Sequence, residues 1–276
     1  MASTELFSVP IPARPSHPGG SIVCTTPAPK VYLLTFTSPP DNRLTPEFCG
    51  AMMAALDIVE FEQAPGVVVT TSGIPKFYSN GLDLPLALAT PGFWAGALYP
   101  LLRRFLTFPM PTVALLNGHA FAGGIILAMH HDYRVFTGRG RGFACVNELE
   151  FGAPLPPPLA GIFRLKTAPH VYRELVLEAK RFDGKAALEA GLVDAVGELE
   201  AVLKLVEERK LVVKGTKGSY GLLKAEMYRE SIALLDVKDV DVPDLSEVSA
   251  NLKKRKADGK ERVKKWRENQ GQKAKL

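Results

Sequence analysis

Residues 112–136, TVALLNGHAFAGGIILAMHHDYRVF, decide the fold. Thr112–Leu116 reads as a strand, the glycine-bearing stretch 117–124 as a turn, Gly123 to about His131 as an apolar helix, and Tyr133–Phe136 as a short second strand. Upstream the alternation repeats. A helix is predicted around Ala95–Phe108, and Val67-Val68-Val69-Thr70-Thr71 is apolar enough for a strand covered on both faces. Before that strand, Thr45 as cap and Pro46 at the first helical position open a helix. Phe48, Met52, Ala55, Leu56 and Val59 follow at helical spacing, with an end near Gln63. Ser21–Thr26 and Val31–Phe36 flank Pro27-Ala28-Pro29-Lys30 as a hairpin. Alternating strands and helices place the chain in the α/β class with largely parallel strands. From Ala168 onward the signal is almost wholly helical, over Val171–Ala179, Gly184–Ala190, Leu199–Glu208 and Leu222–Leu235. No internal repeat of fixed length is present.

The 276 residues are 46% hydrophobic and 23% charged, which excludes disordered and fibrous classes. Three cysteines without CxxC spacing encode neither a disulfide framework nor a zinc knuckle. The net charge of +5 is a property of the tail: residues 251–276 hold eleven Lys or Arg and three acids, leaving 23 basic and 26 acidic residues before them. A solvated terminal helix is the expected form of that tail, with nucleic-acid binding as an alternative. Residues 1–20 contain four prolines and no apolar core of a secretory signal, so they are expected to form a loose arm. The apolar run Ala120–Met129 is about half the roughly 20 residues a membrane span needs, so no membrane insertion is expected. Ala274-Lys275-Leu276 has the small-basic-leucine form of a peroxisomal address, implying an import receptor as partner and a peroxisomal location.

Nucleotide-binding glycine motifs and the GxSxG elbow are absent. His130 and His131 are adjacent and would point about 100° apart on a helix, so no metal site is expected. Two glycine-bearing turns and one carboxylate remain. In Lys76–Leu84, KFYSNGLDL, Gly81 lets the backbone turn sharply and approach a ligand. In Asn117–Gly124, NGHAFAGG, a strand runs into an apolar helix whose first amides are unpaired. The two turns either hold an oxyanion together or simply permit tight strand-to-helix connections.

FYSNGLDL, NGHAFAGGIILAMHHDYRV and then NELEFGAPL occur in an order and spacing that resemble the crotonase superfamily, the enoyl-CoA hydratases and isomerases. The resemblance covers about Lys30 to Val196. It implies a ββα spiral with a helical C-terminal trimerisation region, working on acyl-CoA thioesters as a homotrimer or hexamer. No cofactor is implied, because CoA arrives with the substrate. Combined with the composition, it divides the chain into an arm (1–20), a spiral core (21–196), a helical region (197–250) and a basic tail (251–276).

The resemblance places the two backbone donors of an oxyanion hole on Asn80 and Gly123, with Ser79, Gly81, Leu82, Asp83 and Asn147 at substrate-binding positions. Fixed amides stabilise an enolate, and losing one such donor costs about 3–4 kcal/mol of barrier. Hydratases of the family use two glutamates; the first position falls on Ile126, which can neither orient nor deprotonate water. The second falls on Glu148, in a setting most similar to Δ3,Δ2-enoyl-CoA isomerases. A single carboxylate suffices to take a proton from C2 of a 3-enoyl-CoA and return it to C4, the expected β-oxidation step. Dienoyl-CoA isomerisation is disfavoured by Ile126 and Pro156. Two other readings stand beside this one: a hydratase or dehydratase on a specialised acyl-CoA, and an RNA-binding crotonase using the basic tail.

Overall fold

The computed structural model describes residues 4–138, 140, 142–236 and 245–273. Ala274, Lys275 and Leu276 lie outside the described residues. Among the described residues ten strands occur: β1 (Thr4–Ile11), β2 (Gly20–Ala28), β3 (Val31–Thr37), β4 (Val67–Ser72), β5 (Phe77–Ser79), β6 (Thr112–Leu116), β7 (His119–Phe121), β8 (Tyr133–Phe136), β9 (Ala144–Cys145) and β10 (Ala195–Val196). Seven form one sheet in the order β1-β2-β3-β4-β6-β8-β10, antiparallel at β1-β2-β3 and parallel beyond. The other three, β5-β7-β9, form a small parallel sheet.

The helices of the spiral are α1 (Pro46–Glu62), α2 (Leu84–Ala89), α3 (Tyr99–Thr107), preceded by a π-helical turn at Trp94–Leu98, α4 (Gly123–Met129) and α5 (Pro157–Lys166). Each turn of the spiral gives one strand to the large sheet, the next to the small sheet, and then helix: β4-β5-α2/α3, β6-β7-α4, β8-β9-α5. The expected ββα spiral is therefore present. Helix α1 starts as its sequence dictates, with Thr45 Oγ1 accepting from the Phe48 amide and Pro46 inside the first turn. Such a cap is worth about 1 kcal/mol. Strand β6 is buried along its whole length, as befits a central parallel strand.

Two expectations are corrected. The loose arm is not loose: Thr4–Ile11 pairs antiparallel with Gly20–Thr26 as the sheet's edge strand, a position that tolerates Pro10. The later helices pack on the spiral core. Residues α6 (Pro169–Leu177), α7 (Gly184–Glu189), α8 (Leu199–Glu208), α9 (Leu211–Gly215), α10 (Tyr220–Met227) and α11 (Arg229–Leu235) belong to one compact unit with the spiral, Met1–Asp239. Val202, Leu205, Val206 and Leu211 share a buried cluster with Val31, Val67 and Val113. The boundary drawn at residue 250 falls inside α12 (Leu245–Lys273), a single helix in the second unit, Val240–Leu276. Among the described residues no helix is long and apolar enough to cross a membrane.

Candidate active site

The small sheet assembles the site. Its strands are parallel, with Ser79 opposite Ala120 and Phe121 opposite Cys145. Their carboxyl ends therefore deliver three segments side by side, Asn80-Gly81-Leu82, Ala122-Gly123 and Val146-Asn147-Glu148. Ligands bind at such ends in α/β sheets because the chain must leave the sheet there.

In the first segment the donor is not where the sequence placed it. The Asn80 amide donates to the Asp41 carbonyl at 3.0 Å and its side chain to Asp41 Oδ2 at 2.6 Å, so Asn80 is consumed by the scaffold. Leu82 is the free position. Gly81, at φ +78°, turns the chain, and its carbonyl accepts from the Leu44 amide at 2.9 Å. A planar trans peptide then points the Leu82 N–H the opposite way, and it meets no acceptor among the described residues. Arg43 fixes the same turn: Nη1 donates to the carbonyls of Asn80 (3.1 Å) and Leu82 (2.8 Å) while Nε donates to Asp41.

The other first-turn positions brace the loop. Ser79 Oγ donates to the Asn42 carbonyl and accepts from the Gly81 amide. Asp83 caps α2 through the Leu86 amide and pairs with His17 Nε2 at 3.0 Å. Those bonds hold the Asp83 carboxyl below its ordinary range against the opposing pull of burial.

The second segment packs directly on the first. A Cβ on Gly81 would lie 2.7 Å from the Gly123 nitrogen, and one on Gly124 would lie 2.2 Å from the Ser79 carbonyl oxygen. Ala122 sits at φ +48°, ψ −119°, a strained region for a residue with a side chain, costing on the order of 1–3 kcal/mol. Its carbonyl accepts from Ile126, and Gly123, first residue of α4, has no helical acceptor for its own N–H.

The third segment ends in a 3₁₀ turn, Glu148–Phe151, closed by Gly152 at φ +70°. Glu148 is half-buried, its Oε2 is buried without a hydrogen-bond partner, and burial pushes its carboxyl up to about 7, opposed by its own backbone amide. It lines one narrow cavity of about 60 Å³ with Leu82, Trp94, Gly123, Ile126 and Phe151. Two main-chain donors that meet no acceptor among the described residues, Leu82 and Gly123, and one protonatable carboxyl thus share an otherwise apolar pocket, able to stabilise an oxyanion and move a proton beside it. Ile126 is buried in that wall and supplies no second acid. Asn147 Oδ1 is buried and unpartnered beside Glu148. Glu150 turns outward to Arg181.

Sequence reading missed Trp94, Arg43, Asp41 and His17; nothing in their local pattern marks them, since each matters through contacts far along the chain. Among the described residues no cluster of three His, Cys, Asp or Glu side chains could hold a metal. His130 and His131 are both buried, bonded through Nδ1 to the carbonyls of Ile126 and Leu127. Burial holds both below the usual imidazole range.

With this geometry established, the chain belongs to the enoyl-CoA hydratase/isomerase family, whose model matches residues 28–256. It is similar to enoyl-CoA delta isomerase 3 of Arabidopsis thaliana, 32% identical over 223 residues, covering 75% of this chain and 92% of that protein. A peroxisomal enoyl-CoA delta isomerase 2 of the same plant is 32% identical over 226 residues, again covering 75% and 92%. Among solved structures, human mitochondrial delta3-delta2-enoyl-CoA isomerase superposes with a TM-score of 0.72 at 26% identity, covering 88% of this chain and 98% of that one.

Proposed function

We propose that the protein shifts the double bond of a 3-enoyl-CoA to give the 2-trans-enoyl-CoA. The observation that carries this reading is the Glu148 carboxyl, whose buried Oε2 has no hydrogen-bond partner, in a pocket that also holds the N–H groups of Leu82 and Gly123, neither of which meets an acceptor among the described residues. In this reading the thioester oxygen lies between the two amides, and the Glu148 carboxylate takes a proton from C2. The electron pair of that C–H bond becomes the dienolate, whose charge the amides stabilise. The same carboxyl then returns the proton to C4, and the double bond settles between C2 and C3. A pKa near neutrality suits both directions of transfer. Relatives named delta isomerases support this chemistry over hydration, and Ile126 agrees, since a hydratase would need a second polar group to hold water there.

We place the protein in peroxisomes on its terminal Ala274-Lys275-Leu276 and its peroxisomal relatives. We also propose a homotrimer, which would cover Leu222, Leu223 and Met227, all more than 60% exposed on α10. The deciding measurement is turnover of Glu148→Gln on 3-hexenoyl-CoA beside the parent. Loss of isomerisation with retained substrate binding supports the reading; a near-normal rate, or hydration of 2-enoyl-CoA without any double-bond shift in the parent, overturns it.

A further inference from the structure

We propose that helix α12 is a docking element that lies on membrane surfaces rich in anionic phospholipid. Leu252, Gly259, Val263 and Trp266 follow one another at spacings of seven, four and three residues. At 100° per residue they fall within about 60° of arc, one narrow stripe along the helix. Its larger side chains face outward, with Leu252 57%, Val263 50% and Trp266 61% exposed. Arg255 and Arg262 border the stripe on one side, and Lys256, Lys260 and Arg267 on the other. Asp258, Glu261 and Glu268 all lie about 110° or more from its centre. No acid therefore borders the stripe; the three acids share the far face with Lys253, Lys254, Lys264 and Lys265, and Lys265 pairs there with Glu261.

That arrangement selects the partner. A stripe of about 60° is narrower than the roughly 100° face a helix buries in a protein core or groove. A second copy aligned on the same stripe would bring basic flank against basic flank. Nucleic acid would neutralise the flanks but leave the apolar seam and its tryptophan without a role. An anionic lipid surface uses every part: headgroups pair with the basic borders, their aliphatic stems lie along the interface, and Trp266 enters it between them. The acids then face water. With 29 residues, about 43 Å long, and polar residues around most of its circumference, α12 lies along the surface and does not cross it.

The test uses the full-length protein with phosphatidylcholine vesicles, either pure or containing about 30% phosphatidylserine. The chain has two tryptophans, and Trp94 is buried, so a blue shift of emission on vesicle addition reports Trp266. Partitioning onto the anionic vesicles should be at least tenfold stronger than onto neutral ones, with a blue shift, and should fall at high salt. Combined Lys256→Glu, Lys260→Glu and Arg267→Glu should reduce it to the neutral level. Combined Leu252→Ser and Val263→Ser should weaken it and remove the shift, and both sets should leave enoyl-CoA turnover unchanged. Equal binding to both vesicle types, an unshifted Trp266, or binding that survives both sets of substitutions overturns the proposal. So does a protein that ignores vesicles while binding a single-stranded RNA homopolymer, or one whose oligomer mass alone changes when α12 is altered.

Discussion

Replacing Glu148 by glutamine should make the protein more stable and almost inactive, with the stability gain confined to neutral and alkaline pH. The folded carboxyl titrates near 7 against an ordinary value of 4.5 because burial disfavours its charged form. The native state therefore holds the proton more tightly than the unfolded chain. That contribution is fully present below about 4.5 and is lost as pH rises through about 7. Above 7 the parent must bury a carboxylate. A span of roughly 2.5 pH units at about 1.36 kcal/mol each sets an upper bound of about 3.4 kcal/mol. Since the side chain is partly open to water, about 1–2 kcal/mol is the expected size. Glu148→Gln removes the charge and keeps the shape, so its melting temperature should exceed the parent's by about 3–6 °C at pH 8 and match it near pH 4. Thermal melts of both proteins at fixed concentration across pH 4–8 measure this. In parallel, kcat/KM of the parent should rise through about pH 7, and the variant should lose on the order of 10²–10⁴ in rate. A variant that is no more stable than the parent at pH 8, or a pH-independent difference between them, would refute the argument that burial sets the acidity of Glu148.

Gly81→Ala should cost about 1–3 kcal/mol of stability and lower kcat on 3-hexenoyl-CoA by about a hundredfold, because the new Cβ meets the Gly123 nitrogen from a positive-φ position; unchanged turnover would show that the turns are not locked together. Arg43→Met should lower kcat/KM about tenfold, or about 1.4 kcal/mol, with a small change in melting temperature, since it frees the carbonyls of Asn80 and Leu82; steady-state kinetics beside thermal melts separate these effects. Lys224→Met should destabilise the fold by about 3–5 kcal/mol in urea titration, because Lys224 Nζ is bonded to Asp132 at 2.9 Å in a setting where both are buried.

Elements with local chemistry were legible in the sequence. Thr45-Pro46 fixed the start of α1, the Pro27–Lys30 turn fixed the β2-β3 hairpin, and the three motifs marked the segments that the small sheet gathers. The motifs also marked Glu148 and Ile126, which the structure places in the lining of one pocket. The first donor was not. Which amide of Asn80, Gly81 and Leu82 stays free depends on the orientation of successive peptides, set by Leu44 and Asp41 about forty residues earlier. Strand β1 was hidden for a similar reason: Pro10 within it and the three prolines just after it argue against a strand until a partner edge is supplied. The ββα turns repeat in space without repeating in sequence, since the segments between their strands range from a single α4 to α2, a π-turn and α3.

The paired turns at Gly81 and Gly123 also bear on how this scaffold can diverge. In the proposed reading the anion-holding atoms belong to peptide groups, so the side chain at 82 can drift in identity without dismantling the cradle, whereas the glycines that let the turns touch cannot. New reactions on the same frame are therefore best sought by exchanging the side chains at 126 and 148, leaving helix α4 and the β9 end that present them as inherited.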